Sequence, residues 1–348
     1  MTEHVVIACE DAGAATALAP VADVLLRRDD KITWWLGPIA AESLRAHGLA
    51  KGAEPILDVR AASSRIDGAR VLCEADALLA GTSAWGTRLE ARAIIEARKQ
   101  GCPSLGILDF WANYEARLSF PSTTDLEAVP DKIAVIDSTM RDDLVSAGVG
   151  EGKLVVTGSP AFDAVLARVG KWAPASKRVL FLSQPIREIY GSALGYTEDD
   201  VLAAIAPIVV ELGAELVVRP HPREDVTHLE SVVSSLPCGR LDASRDLFDA
   251  INDASAVVGM TTMALVHSAL IGAPTLSVQL GRRGADPLPT NRIGLTHSVT
   301  DVNALRETLA TMLNGKASAT TAAPPWPLDG GRRVIEALDA LIASRRAS

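Results

Sequence analysis

Residues 255–280, SAVVGMTTMALVHSALIGAPTLSVQL, decide the fold. SAVVGM (255–260) is a short apolar run and reads as a strand. TTMALVHSALIGA (261–273) follows with helical character, and PTLSVQL (274–280) is a second apolar run. Strand, helix and strand in close succession are the unit of a parallel sheet wrapped by helices.

Working outward, the same rhythm recurs on both sides. Upstream, RVLFLSQ (178–184) and ELVVRPHP (215–222) read as strands around a helix at 198–214, and DLFDAINDA (246–254) as a short helix. In the first half, strands are expected at 4–9, 31–37, 76–82, 103–109, 132–137 and 153–158. Helices are expected at 14–28, around 40–49, at 88–101 and at 138–148. The last of these starts on Ser138 as N-cap and stops at Gly148. ARVGKWAPASKR (167–178) breaks the rhythm and reads as a linker. Residues 1–168 and 176–330 are therefore expected to be two βα domains, followed by a weakly structured stretch after 315 and a helix at 331–348.

At 348 residues, two domains are the natural expectation. A net charge of -9 argues against a nucleic-acid partner, which would need a basic face. The N-terminal HVVIAC reads as a strand and not a signal peptide, and no apolar run approaches a membrane span. Cys9, Cys73, Cys102 and Cys238 are scattered without CxxC spacing, so they read as reduced thiols of a cytoplasmic protein.

Chemistry-bearing residues gather at strand ends. VVRPHPRED (217–225) sets Arg219, His221 and Arg223 at and beyond the end of a buried strand, where open α/β sheets bind ligands. Pro220 and Pro222 fix that loop; the alternative is a surface turn with solvated arginines. Met260, Thr261 and Thr262 stand where a strand ends and a helix opens, and amides and hydroxyls there suit an anion. The alternative is a plain threonine cap. His267, two turns into that helix, reads either as a contact or as a structural histidine. SQPIREIYG (183–191) offers Gln184 and Arg187 at the same edge.

In the first half, ACEDAGAATAL (8–18) brings Glu10, Asp11 and Gly13 to the equivalent edge. Glu10 or Asp11 could act as general base, or both could be an acidic helix cap. AGTSAWGTRLE (80–90) adds Thr82 and Ser83. ILDFWANYEARLSF (107–120) concentrates aromatics in a chain with only 5 Phe, 6 Trp and 3 Tyr. Trp111 and Tyr114 could stack on a sugar, with Asp109, Asn113 and Arg117 bonding hydroxyls or a carboxylate. The competing reading is an oligomer or interdomain contact, and a homodimer is compatible with it.

Over 178–312 the chain resembles the GT-B glycosyltransferases, near UDP-N-acetylglucosamine 2-epimerase and the CDP-glycerol glycerophosphotransferase or capsule transferases. RPHP (219–222) is similar to their (K/R)PHP. ASAVVGMTTMALVHSALIGAPTLSV (254–278) is similar to their AD.VI…S(S/T)…EA..LG.P, whose helix start binds the donor diphosphate. NRIGLTHSVTDVNAL (291–305) is similar to the late segment entering the last helices, and LDFWANYEARLSF to a D.W.NY stretch of surface-carbohydrate enzymes. Two departures stand out. The family commonly carries Glu where His267 stands, and QPIRE keeps only part of the epimerases' RREN-like loop.

The resemblance implies an α/β fold of two Rossmann-like domains with parallel sheets facing across a cleft, the last helix crossing back to the first domain. It implies a cytoplasmic glycosyltransferase moving a sugar from a nucleotide-activated donor to a glycan or lipid-linked acceptor in surface carbohydrate synthesis. No cofactor is called for, and no DxD pair suggests a metal. Gln184, Arg187, Arg219, His221, Arg223, Met260, Thr261, Thr262 and His267 would serve the donor. Gly13, Thr82, Ser83, Trp111, Asn113, Tyr114 and Arg117 would serve the acceptor. Glu10, Asp11, Asp109 and His221 are the catalytic candidates. The alternatives are an epimerase or hydrolase on the same fold, or a non-catalytic glycan- or partner-binding protein. A nicotinamide enzyme is disfavoured because no GxGxxG follows the first strand.

Overall fold

The computed structural model describes residues 2–53, 66–168, 172, 174, 176–244, 246–315, 324 and 326–347. Parts of the expected linker (169–171, 173 and 175) and of the weakly structured stretch (316–323 and 325) lie outside the described residues. The chain divides into two compact units: Met1–Ala164 with Pro325–Ser348, and Val165–Pro324.

Unit 1 holds strands β1 (His4–Cys9), β2 (Lys31–Leu36), β3 (Ala77–Ala80), β4 (Ser104–Ile107), β5 (Lys132–Val135) and β6 (Leu154–Val156). They pair in parallel in the order β2-β1-β3-β4-β5-β6. Both faces of β1 are covered, which is why its sequence is apolar without alternation. Val5, Ile7 and Cys9 pack with Leu18, Val21 and Leu25 of the Ala12–Arg27 helix. Val6 and Ala8 pack on the other side with Leu72, Ile94 and Ala97. The last helix, Gly330–Ala347, puts Val334, Leu338 and Ile342 into the first of these cores. Asp163 holds its start by accepting the Gly330 and Gly331 amides at 3.0 and 2.8 Å.

Unit 2 holds β7 (Arg178–Leu182), β8 (Glu215–Arg219), β9 (Arg240–Leu241), β10 (Ala256–Gly259), β11 (Thr275–Val278) and β12 (His297–Val299). All pair in parallel in the order β12-β11-β10-β7-β8-β9. Val179 and Phe181 face Val201, Ile205 and Val209 of the Glu198–Glu211 helix. A capping box between Thr197 and Asp200 starts that helix.

Local detail differs from expectation in two ways. The helix at Ser138–Ser146 is capped by Asp137, whose carboxylate accepts the Met140 amide at 2.7 Å, so Ser138 is its first residue. The edge strands β9 and β12, two and three residues long, carry too little apolar sequence to be read as strands.

Candidate functional site

In an open parallel sheet the ligand crevice lies where the strand order reverses. In unit 2 that point is between β7 and β10. Gln184 follows β7 and Thr261 follows β10. The Thr261 amide donates to Gln184 Oε1 at 2.8 Å, and Gln184 Nε2 lies 3.5 Å from Thr261 Oγ1. The Thr261 amide is thus already engaged. Thr262 is the N-cap of the Met263–Ile271 helix, its hydroxyl oxygen accepting the Ala264 amide at 3.2 Å, which leaves the hydroxyl hydrogen as a donor. Met260 is fully buried and belongs to the core, not to a ligand surface.

The next loop is wired to this point. Ser183 donates to Glu224 Oε1 at 2.5 Å, and Glu224 Oε2 accepts the His221 amide at 2.9 Å. The Arg223 amide donates to His221 Nδ1 at 3.2 Å, so the neutral ring carries its hydrogen on Nε2. Burial, and then the neighbouring Arg223 charge, pull the His221 pKa down to about 4. His221 is therefore a neutral donor rather than a cation. Burial raises the Glu224 carboxyl above its usual range. Glu224 was not singled out from sequence; its contacts reach back 41 residues to Ser183.

The other expected donor-side residues are turned to structural tasks. Arg219 pairs with Asp242 and donates to Ser244 O at 3.1 Å. Arg187 pairs with Asp199, while its amide donates to Glu198 at 2.9 Å. Both arginines already have carboxylate partners. His267 is buried, held neutral by desolvation at a pKa of about 4, and stacked on Phe248 with ring centroids 6.2 Å apart. Arg168 lies over the same Phe248 ring at 4.2 Å. His267, at 7% exposure, lies in the interior of unit 2.

In unit 1 the order reverses between β1 and β3. Glu10 fills that point. Its carboxylate accepts the Thr87 amide at 2.5 Å and the Leu89 amide at 3.1 Å, so it caps the Leu89–Lys99 helix rather than standing open as a base. The Glu10 amide donates to Glu90 Oε1 at 2.7 Å, and Ser83 donates to Glu90 Oε2 at 2.5 Å. Glu90, unread from sequence, is 1% exposed. Burial first, and then the Glu10 and Asp11 charges, push its pKa up to about 7. Asp11 occupies the N-cap position of the Ala12–Arg27 helix without a side-chain capping bond.

Asp109, Arg117, Thr82 and Gly13 are brought together. Arg117 pairs with Asp109 at 2.7 Å and donates to Thr82 O at 2.5 Å. A Cβ at Gly13 would run into Asp109 Oδ2, so glycine admits that carboxylate to the start of the helix. The aromatics of this segment are not arranged as a sugar wall. Trp111 is 4% exposed, donates to Asp137 Oδ2 at 3.0 Å and packs on Trp326. Tyr114 reaches Asp143 at 3.3 Å, and burial raises its phenol pKa. Asn113, at φ 60, precedes the short Tyr114–Leu118 helix without capping it. Arg88 donates to the Ala116 and Ser119 carbonyls at 2.5 and 2.6 Å, fastening the segment to the loop after β3.

A concavity of about 430 Å³ at Glu3, Arg28, Asp339 and Arg346 lies at the opposite end of β1, where both arginines are paired with carboxylates. Among the described residues no three His, Cys, Asp or Glu assemble as a metal site. No described helix is long and apolar enough to cross a membrane.

No family model matches the sequence, and no curated protein matches it. Solved structures do. A Listeria monocytogenes protein assigned as a UDP-N-acetylglucosamine 2-epimerase superposes with a TM-score of 0.71 at 16% identity, over 98% of this chain and 96% of that one. The Neisseria meningitidis UDP-GlcNAc 2-epimerase bound to UDP-GlcNAc gives 0.67 at 14% identity, over 97% and 100%. Acinetobacter baumannii MurG gives 0.55 at 13%, over 97% and 99%. Two parallel-sheet units of this kind define a two-domain α/β protein. The chain has the GT-B fold, and its structural likenesses gather around the UDP-N-acetylglucosamine 2-epimerases.

Proposed function

We propose that the chain is a GT-B enzyme whose substrate is a nucleotide-activated sugar, and that it transfers the sugar to an acceptor hydroxyl of a glycan or lipid-linked carbohydrate. The Gln184–Thr261 bridge at the reversal of unit 2 carries this reading. It places the Thr262-capped helix start beside the Ser183–Glu224–His221 chain of contacts. A leaving diphosphate would meet the Thr262 hydroxyl, the helix N-terminus and the Nε2 hydrogen of His221, with Arg223 as the adjacent cation. Donors held in place before the reaction stabilise the charge that develops on the leaving oxygen without reorganising. The helix start and a cation would supply that stabilisation without a divalent metal. In unit 1, Asp109, oriented by Arg117, is the candidate base for the acceptor hydroxyl.

Epimerisation of the sugar nucleotide at C2 is the second reading. It is favoured by the epimerases among the structural likenesses. One experiment separates the two. The protein is incubated with UDP-GlcNAc, with and without saccharide acceptors, and products are followed by NMR. Transfer gives UDP only when an acceptor is present. Epimerisation gives the 2-epimer or its hydrolysis product without one. An unchanged sugar nucleotide in both arms, repeated with CDP-, GDP- and ADP-activated sugars, contradicts both readings.

A further inference from the structure

In the loop after β8, residues 220–224, only His221, Arg223 and Glu224 have backbone amides, because proline has none. All three are engaged within the loop. The His221 amide donates to Glu224 Oε2 at 2.9 Å, the Arg223 amide to His221 Nδ1 at 3.2 Å, and the Glu224 amide to His221 O at 2.9 Å. A ligand at this loop therefore meets side chains and not backbone amides. Glu224 closes the turn twice, through its amide and through its carboxylate. Its other oxygen, Oε1, accepts from Ser183, a residue 3% exposed whose own amide donates to Arg219 O at 3.0 Å. Ser183 precedes Gln184 in the chain. Contacts therefore run from His221 through Glu224 and Ser183 to the Gln184–Thr261 bridge and the helix start at Thr262. The other charged side chains here have tasks of their own. Glu198 holds the Arg187 amide, His228 Nε2 lies 3.2 Å from Asp199, and Asp225 caps the Val226–Ser235 helix. Arg223 is the cation beside the His221 ring.

We propose that Glu224 is the positioning residue of the nucleotide site: it fixes the His221 ring with its hydrogen on Nε2, at a set place relative to the Thr262-capped helix start. This role rests on the sugar-nucleotide reading above and adds a residue that acts on the ligand only through another. A neutral imidazole can carry its hydrogen on either nitrogen, and the bond made by one nitrogen decides the state of the other. With the hydrogen on Nδ1, a lone pair on Nε2 would face the phosphate oxygens and repel them. The Arg223 amide prevents this by occupying the Nδ1 lone pair, and the turn that Glu224 closes brings it there. Opening the turn therefore costs the site a hydrogen-bond donor rather than a charge.

The test uses the full chain with its histidine ring nitrogens isotopically labelled and read by long-range proton–nitrogen NMR. Six histidines give six ring signatures, and His221→Ala identifies the one that matters. Wild type is expected to show the Nε2–H tautomer at His221. Glu224→Ala should mix the two tautomers. Glu224→Gln, which keeps an acceptor for the His221 amide, should restore the first. UDP, CDP, GDP and ADP are then titrated by calorimetry. For the nucleotide that binds, Glu224→Ala should weaken affinity about tenfold in the wild-type background and less than about twofold in the His221→Ala background, because the effect passes through the ring. Should Glu224→Ala not fold, Ser183→Ala, which removes only the anchoring bond, takes its place in both measurements. If the tautomer is unchanged in Glu224→Ala, or binding weakens equally in both backgrounds, the positioning role is overturned and the sugar-nucleotide reading stands. If no nucleotide binds wild type, that reading falls, and the positioning role falls with it.

Discussion

The carboxamide of Gln184 accepts the amide hydrogen of Thr261 at 2.8 Å across the strand-order reversal of unit 2, although 77 residues separate the two in sequence. This bond ties the end of β7 to the end of β10 and sets where the Thr262-capped helix begins. Gln184→Ala would leave the Thr261 amide, in a residue 6% exposed, without its partner. Such a loss costs roughly 1–3 kcal/mol. We predict a stability loss of that size in urea unfolding, and about tenfold weaker binding of a nucleoside diphosphate by calorimetry.

His221 tests the protonation state of the site. Its folded pKa of about 4 lies below the ordinary 6.5. The unfolded chain therefore takes up a proton at higher pH than the folded one does. Its contribution to stability is complete above pH 6.5 and is lost as pH falls toward 4. The stability difference between wild type and His221→Gln should shrink over that window. A histidine titration by NMR should find the His221 midpoint near 4, where an exposed imidazole would give about 6.5.

Glu90 has the opposite sign. Its folded pKa of about 7 lies above the ordinary 4.5, so the folded state holds a proton that the unfolded state has released. Stability from this group is complete below pH 4.5 and is lost as pH rises through 7. Glu90→Gln keeps the acceptor for the Glu10 amide and places a donor toward Ser83. Its advantage over wild type should grow from pH 4.5 to 7, reaching roughly 3 kcal/mol at about 1.4 kcal/mol per pH unit, and then level off. Unfolding curves at stepped pH measure it.

Asp109 and Gly13 form a coupled pair. Asp109→Asn removes the charge while keeping the shape, and Gly13→Ala pushes the carboxylate from its place. If Asp109 is the base, each variant should lose about 10²–10⁴-fold in kcat. The change in nucleotide affinity should be small, because that site lies in the other unit. Steady-state kinetics with the sugar nucleotide that the NMR assay identifies, alongside calorimetry, separates the two effects.

Trp111 should behave as a core residue. Trp111→Phe removes the hydrogen bond to the buried carboxylate of Asp137. We predict a stability loss of roughly 1–3 kcal/mol with unchanged glycoside and nucleotide affinity. A loss of glycoside binding at unchanged stability would return this residue to the ligand surface.

Much of the fold was legible because parallel strands buried on both faces leave uninterrupted apolar runs. HVVIAC and RVLFLS mark β1 and β7 at their observed starts. The two-residue β9 left no such run. The positions of the candidate sites were legible too, since loops at strand ends can be counted. The roles within them were not. Whether Glu10 is a base or a cap depends on Thr87 and Leu89, nearly eighty residues away. Whether Arg219 meets a phosphate or a carboxylate depends on Asp242. The aromatic cluster at 107–120 likewise does not tell a sugar platform from a packed indole, and Trp111 is 4% exposed.

The central claim is that the reversal point of unit 2 holds the diphosphate of a sugar nucleotide. Calorimetric titration with UDP, CDP, GDP and ADP, on wild type and on Gln184→Ala and Thr262→Ala, tests it most directly. The account predicts saturable binding of at least one nucleoside diphosphate, weakened in both variants. No binding by any of the four, or binding that neither substitution alters, would contradict it.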